Sequence, residues 1–288
     1  MTNLITRPSK TAAMLIPAAL VLALAPVATA QDADDSFNTG RLTLDMGVDF
    51  TSSYFFRGYL QEDQGLITQP WMEVGFDLTP DDSGVDIGLA VGTWNSLHSE
   101  KTGATGTGQR GWYESDFYAG LTFGFEHVDL GLSYTFYTYP NNDSFPTVQE
   151  VGLTAGFGFG DSWASDWIGD VTLGLHIEVD NSNVSSEEAM YFQIDFGPSF
   201  DLESGGMTLS VPVSIGLSVD DYYVGTEDED FGYASIGATL DVPLSSGPWG
   251  DWSLNAGVTF LLLGDTTEAS NNGDDSDVVG FFGVSLSY

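Results

Sequence analysis

Arg57 is the residue of this chain with the most pointed chemistry. It sits in Tyr54-Phe55-Phe56-Arg57-Gly58-Tyr59, an aromatic cluster followed by acidic surroundings. A guanidinium in an acidic protein takes a carboxylate as partner. Two roles are open to it. It can face a pore mouth or grip a carboxylate across the barrel, or it can form a buried salt bridge at the tip that fixes the first hairpin. The second role is expected, because a lone arginine among many acids finds a carboxylate. The histidines His98, His127 and His176 could serve a hydrolase, which needs a serine beside an oriented imidazole. His98 reads as a loop residue near Ser96 and Ser99, and His127 as part of a tight turn. His176 shares a strand face with Glu178, with no serine that the sequence places beside it. No GxSxG, HExxH or phosphate-binding loop pattern occurs. The expectation is a protein that is not an enzyme and uses no cofactor.

Acids dominate the remaining polar chemistry. All 42 acidic residues follow residue 30, where Arg41, Arg57, Lys101 and Arg110 are the basic residues. Such a surface repels nucleic acid and anionic lipid heads unless divalent cations bridge them. The runs Thr226–Asp230 and Asn271–Asp277 are candidates for that bridging through hard oxygen ligands, though neither has an EF-hand spacing. Solvated loops are the plainer expectation for both.

Long strands must position these groups. Leu42, Leu44, Met46, Val48 and Phe50 alternate with Thr43, Asp45, Gly47, Asp49 and Thr51, a period of two that reads as a β-strand with one apolar and one polar face. The alternation resumes from Leu66 to Leu78, so the two stretches form a hairpin of long strands with an aromatic-rich tip. About twelve strands follow from the whole pattern, roughly at 41–56, 66–79, 84–95, 112–125, 127–139, 147–160, 168–180, 189–202, 207–219, 230–242, 251–264 and 277–288. Most are longer than the usual globular strand and long enough to cross a bilayer at a tilt. Short and long connections alternate along the chain, with the long ones acidic or Gly-rich, which is the layout of a bacterial outer-membrane barrel. The polar faces carry Gly beside acids and Tyr, and Gly lets a small barrel curve. Tyr54, Phe56, Trp252 and Tyr288 read as aromatic girdle positions on the apolar faces.

Residues 1–30 read as a signal peptide. Arg7 and Lys10 precede an apolar run at 12–27, and Ala28-Thr29-Ala30 is a small-x-small cleavage site. A transmembrane anchor is disfavoured by the short run and by Pro17 and Pro26. Residues 31–40 read as a polar leader and residues 41–288 as one barrel. There is no Cys, so no disulfide framework is available to an exported chain. The C-terminus, with Gly283, Leu286 and Tyr288 at spacings of five, two and zero from the end, resembles the assembly signal read by the barrel-assembly machinery.

The first hairpin, FTSSYFFRGYLQEDQGLITQPWMEVGFDL, resembles the TorF-like porins of Gram-negative bacteria. Thr51, Ser52, Tyr54, Phe56, Arg57, Gly58, Gln61, Gln69, Phe76 and Asp77 match that family's pattern. Ser53 stands for its usual Asp and Leu60 for its usual Ser. Ile87–Ser96 (IGLAVGTWNS) and Glu114–Pro140 are similar to two further strand patterns of the family. The resemblance covers the first third to half of the chain after residue 30. It implies an outer-membrane barrel and a channel, with no substrate attached.

The fold expected is therefore all-β, a single up-and-down antiparallel transmembrane barrel of about twelve strands in the outer membrane. The function expected is passive diffusion of small solutes, with preference for cations; the alternative is a closed structural or adhesive barrel without conductance. The expected lumen lining is Asp45, Asp49, Arg57, Glu73, Asp77, Asp86, Glu114, Asp116, Asp129, Glu150, Glu178, Asp180, Asp195, Asp201 and Asp241. Expected partners are outer-membrane lipid, divalent cations at the acidic outer loops, the barrel-assembly machinery and small solutes, and no nucleic acid.

Overall fold

The computed structural model describes residues 41–79, 84–102, 110–141, 146–160, 162–180, 188–202, 205–225 and 228–288. The expected signal peptide (1–30), its cleavage site, the leader (31–40) and Thr226–Glu227 of the acidic run lie outside the described residues.

The elements are β1 (Leu42–Thr51), β2 (Tyr54–Phe56), β3 (Tyr59–Glu62), β4 (Ile67–Asp77), β5 (Asp86–His98), β6 (Gly111–Gly124), β7 (Val128–Thr138), β8 (Val148–Phe157), α1 (Trp163–Trp167), β9 (Val171–Asp180), β10 (Met190–Phe196), β11 (Ser199–Asp201), β12 (Thr208–Ser210), β13 (Val213–Asp220), β14 (Phe231–Ser245), β15 (Asp251–Leu263), α2 (Asp265–Ser270) and β16 (Ser276–Ser287). All strands except β2 and β3 belong to one antiparallel sheet that closes on itself. β1 pairs with both β4 and β16, and β15 pairs with both β14 and β16.

The wall has twelve staves, because two of them are broken by proline. Pro198 separates β10 from β11, and Pro212 separates β12 from β13. Proline has no N–H for the ladder and bends a strand at that point. The breaks are bridged by their neighbours: Val211 N donates to Pro198 O at 2.9 Å, and Gly237 N to Pro212 O at 2.8 Å. The last residue completes closure, since Tyr288 and Leu44 exchange both backbone hydrogen bonds, at 2.7 and 2.9 Å. Leu286 lies opposite Met46 and Trp252, and Gly283 opposite Asp49 and Asn255.

The faces are inverted relative to a water-soluble sandwich. On β7, Leu130, Leu132 and Phe136 point outward and are exposed, while Thr135 and Tyr137 point inward and are buried. On β6, Phe117 is 54% exposed while its neighbours Asp116 and Tyr118 are buried. The same side carries Met72, Val91, Leu153, Ile236, Phe260 and Phe282. An apolar belt outside and polar groups within is the arrangement of a barrel that faces lipid. No described helix is long and apolar enough to cross a membrane; the strands supply the crossing.

Three local expectations need correction. The first strand ends at Thr51, not near residue 56, and Tyr54–Phe56 belong to a separate hairpin. Tyr54 and Phe56 are buried in the lumen, so they are not girdle residues; Trp252 and Tyr288 do lie exposed. His98 is the last residue of β5 and buried, not a loop position. The two short helices α1 and α2 lie in connections that alternation alone cannot describe.

Candidate functional site

The site is the small hairpin β2–β3, which joins β1 to β4 and pairs with no stave of the wall. Its turn is Arg57-Gly58, with φ of 48° and 86°. Two successive residues of positive φ make the tight turn whose twist suits a hairpin. Gly adopts that conformation freely, whereas Arg does so at a cost. Gly58 is also pressed close to its surroundings. A Cβ there would stand 3.0 Å from Thr267 Cγ2 and 3.2 Å from Tyr233 Cβ.

The tip of the hairpin reaches the opposite wall. Arg57 Nη1 donates to Glu150 Oε2 at 2.6 Å and Arg57 Nη2 to Glu150 Oε1 at 2.9 Å, a parallel pair of bonds to a residue of β8. Both residues are almost fully buried. Glu150 is held by the wall as well: Tyr137 Oη donates to Oε1 at 3.0 Å, and His176 Nδ1 lies 3.0 Å from the same oxygen. An ionised carboxylate only accepts, so Nδ1 of His176 carries the proton in that contact. Aromatic rings close around the guanidinium. Its carbon lies 4.3 Å from the Tyr191 ring centre, 5.0 Å from Phe56 and 5.4 Å from Tyr222. Burial works against the charge of Arg57, but Glu150 outweighs it and holds the guanidinium in its charged form.

The connection that follows β13 packs on the same point. Tyr222 Oη lies 3.2 Å from Arg57 Nη1, and Tyr223 Oη donates to the Arg57 carbonyl at 2.9 Å. Burial pushes both phenols well up, so they stay neutral. The wall makes room for these rings with glycine: a Cβ at Gly232 would strike the Tyr223 ring, and one at Gly216 the Tyr233 ring. On its other side the hairpin meets α2, where Leu60 N donates to Ser270 Oγ at 3.4 Å.

A second polar cluster lies beside the hairpin. Ser96 Oγ is 2.8 Å from His98 Nε2, and His98 Nδ1 is 2.9 Å from Thr102 Oγ1 and 3.9 Å from Glu62 Oε2. Serine, imidazole and acid are thus assembled in the order a nucleophile requires. The Ser96 hydroxyl, however, lies in a residue with 0% exposure and also meets Gln69 Nε2 at 3.4 Å. Tyr113 stacks on His98 at 4.9 Å. The cluster ties β3 to β4, β5 and the start of the next loop. Alternation could have placed His98 beside Ser96, since positions two apart share a face; ending the strand at residue 95 hid it.

The register puts the expected lining acids on the inward face except Asp180, which a bulge beside Glu150 pairs with the outward-facing Gln149, whose Nε2 donates to Asp180 Oδ2 at 2.6 Å. Asp45 lies opposite Glu73, Glu114 opposite Ser96, and Glu150 opposite Glu178. They differ in depth. Asp49, Glu114, Asp116, Glu150 and Glu178 are buried with Arg57 around the hairpin. Asp45, Glu73, Asp77, Asp195 and Asp241 are half-buried, toward the end of the barrel that holds Tyr288. Asp86, Asp129, Asp180 and Asp201 are exposed near strand ends. Tyr54 Oη donates to Glu114 Oε2 at 2.7 Å, and Trp71 Nε1 to Asp49 Oδ2 at 3.0 Å. Among the described residues no three acids or histidines converge as a metal site.

The sequence profile of a family described as "bacterial protein of unknown function (Gcw_chp)" matches residues 35–251. No curated protein matches the chain. Solved structures similar to it include an outer-membrane channel, an autotransporter translocator domain and a porin. An outer-membrane channel from Pseudomonas putida F1 shares 13% identity, with 86% of this chain and 94% of that one covered and a TM-score of 0.48. The translocator domain of autotransporter NalP from Neisseria meningitidis shares 12%, with 87% and 89% covered and a TM-score of 0.43. The NanC porin shares 10%, with 84% and 98% covered and a TM-score of 0.40.

Proposed function

This chain belongs to the Gcw_chp family of bacterial proteins of unknown function, and from its geometry we propose that it is an outer-membrane channel for passive diffusion of small solutes, cation-preferring, and closed at rest by the β2–β3 hairpin. The observation that carries this reading is the independence of the plug. The hairpin makes no ladder with any stave, so it can leave the lumen without breaking the wall. Behind it lies an inward face of acids and small residues, suited to water and cations. The likeness of the first hairpin to the TorF-like porins points the same way. The chain acts in this reading without catalysis or a cofactor, in the outer membrane, reached through a cleaved leader and the barrel-assembly machinery. Divalent cations between its acidic outer loops and anionic lipid are part of the same proposal.

A second reading has its own support. Ile67, Tyr137, Val148, Tyr191, Tyr222 and Tyr223 have no exposed surface at the level of the plug, as in a closed structural or adhesive barrel. Planar-bilayer recordings on the refolded protein decide between the two, beside a variant in which residues 53–65 are replaced by a short Asn-Gly turn. Current in the shortened barrel, with rare or small openings in the intact one, is expected. Silence in both proteins removes the channel and leaves the closed barrel.

A further inference from the structure

We propose that the cage around Arg57 is a receptor for organic cations bearing a guanidinium group, and that Arg57 is its built-in occupant. Most of the cage belongs to the wall rather than to the hairpin. Glu150 stands on β8, Tyr137 on β7, His176 on β9 and Tyr191 on β10. Tyr137 and His176 each bond Glu150 without help from the hairpin, so the carboxylate keeps its orientation when Arg57 withdraws. What remains is a buried acid with a planar face of the right width for two parallel N–H groups, beside an aromatic ring. That is the chemistry that recognises a guanidinium, through the bidentate pair and through cation–π attraction. An ammonium ion presents no such fork, and a quaternary ammonium presents no N–H at all.

The occupant is held in a way that favours exchange. It is carried on a turn with Arg57 at φ 48°, in a hairpin outside the wall's ladder. Its Nε takes no hydrogen bond among the described residues. The cage thus engages only the two terminal nitrogens, and an alkylguanidinium from solution can make the same two bonds to Glu150 as the side chain does. A tethered group competes at an effective concentration of roughly millimolar order, so a free ligand is expected to act in that range. Displacing Arg57 removes the two bonds that tie the hairpin tip to Glu150, and on the channel reading, on which this part alone rests, that loosens the plug and favours opening of the path the ligand travels.

The test uses the full mature barrel with Arg57→Ala, refolded in detergent, and methylguanidinium, tetramethylammonium and sodium chloride at equal ionic strength. Methylguanidinium is expected to restore most of the unfolding midpoint lost by the substitution, with little effect from the other two salts. The rescue is expected to vanish in Arg57→Ala/Glu150→Gln. Equal response to all three salts, or rescue that survives loss of Glu150, overturns the proposal. If Arg57→Ala does not refold in sodium chloride, refolding yield in methylguanidinium becomes the readout, and no gain over sodium counts against the receptor equally. The two readings fail separately. Rescue in a barrel that never conducts keeps the receptor and removes the channel, whereas a conducting barrel without rescue keeps the channel and removes the receptor.

Discussion

Arg57 and Glu150 stand 93 residues apart in the chain and meet across the barrel by two hydrogen bonds of 2.6 and 2.9 Å. The wall cannot make this contact by itself, because its ladders join only neighbouring staves. The pair therefore acts as a strut from one side of the lumen to the other. Removing one partner leaves the other charged in a buried site, which costs about 3–5 kcal/mol, while replacing both with apolar groups is far milder. Arg57→Met and Glu150→Leu are each expected to lower stability strongly in urea unfolding of the refolded barrel. Arg57→Met/Glu150→Leu is expected to cost much less than the sum of the two. Additive losses would mean that the residues do not interact.

Ser96 and His98 supply a second expectation. Their 2.8 Å contact has the form of an activated nucleophile, yet Ser96 has no exposed surface. On the non-catalytic reading, the bond joins β5 to the loop through Thr102 and to the hairpin through Glu62. A fluorophosphonate probe is expected to leave the intact barrel unlabelled. Ser96→Ala is expected to cost about 1 kcal/mol or somewhat more, as for a buried hydrogen bond whose partner is left unsatisfied. A covalent adduct on Ser96, absent from the Ser96→Ala protein, would make this an enzyme.

Much of the wall is legible from alternation, since a period of two fixes both strand and face. Leu132 and Ser133 already announce opposite sides. Which side meets lipid is not legible, because a sandwich and a membrane barrel share the pattern; only the exposure of Leu132 and Phe136 beside buried Thr135 and Tyr137 decides it. The plug was hidden for a related reason. Tyr54-Phe55-Phe56 is as apolar as a strand end, and Arg57-Gly58 is a weaker turn signal than Asn-Gly, so the segment read as more wall. The carboxylate partner of Arg57 could be expected by type from the charge excess. Its identity depends on a contact across the lumen, which no local pattern encodes. Pro198 and Pro212 mark the broken staves only in part, since Pro70 and Pro243 also lack the N–H and yet stay inside β4 and β14.

Depth along the wall gives a third expectation. Leu132 lies in the middle of β7, and Leu78 just beyond the end of β4; each is 46% exposed. In water the two positions would tolerate arginine alike. In a bilayer, Leu132→Arg is expected to cost about 2–4 kcal/mol and Leu78→Arg about 0–1. Refolding into lipid vesicles, followed by urea titration, measures both. Equal small effects would remove the membrane from around this belt.

The last expectation is cation preference. Around the plug, Asp49, Glu62, Glu114, Asp116, Glu150 and Glu178 are buried with Arg57, His98 and His176. Arg57 is the lone arginine or lysine among the buried side chains described, and it is already matched by Glu150. Toward the Tyr288 end, Asp45 lies opposite Ser287 and Glu73, Glu73 also opposite Gly92, Asp195 opposite Ser214, and Asp241 opposite Asn255 and Thr208, with no cation among these partners. A low-dielectric wall focuses the field of such a lining, which enriches cations and excludes anions. Opening the hairpin withdraws Arg57 and leaves Glu150 without that charge, so the open state is the more selective one. Across a KCl gradient the shortened barrel is expected to show a reversal potential of the sign set by potassium. The preference is expected to weaken as salt rises, because the screening length falls from about 30 Å at 0.01 M to about 3 Å at 1 M. Neutralising Asp45 and Glu73 together as Asn and Gln is expected to reduce the reversal potential without changing stability much, as both are half-buried and near the barrel end. A reversal potential set by chloride would show that the acids on the inward face do not govern the path.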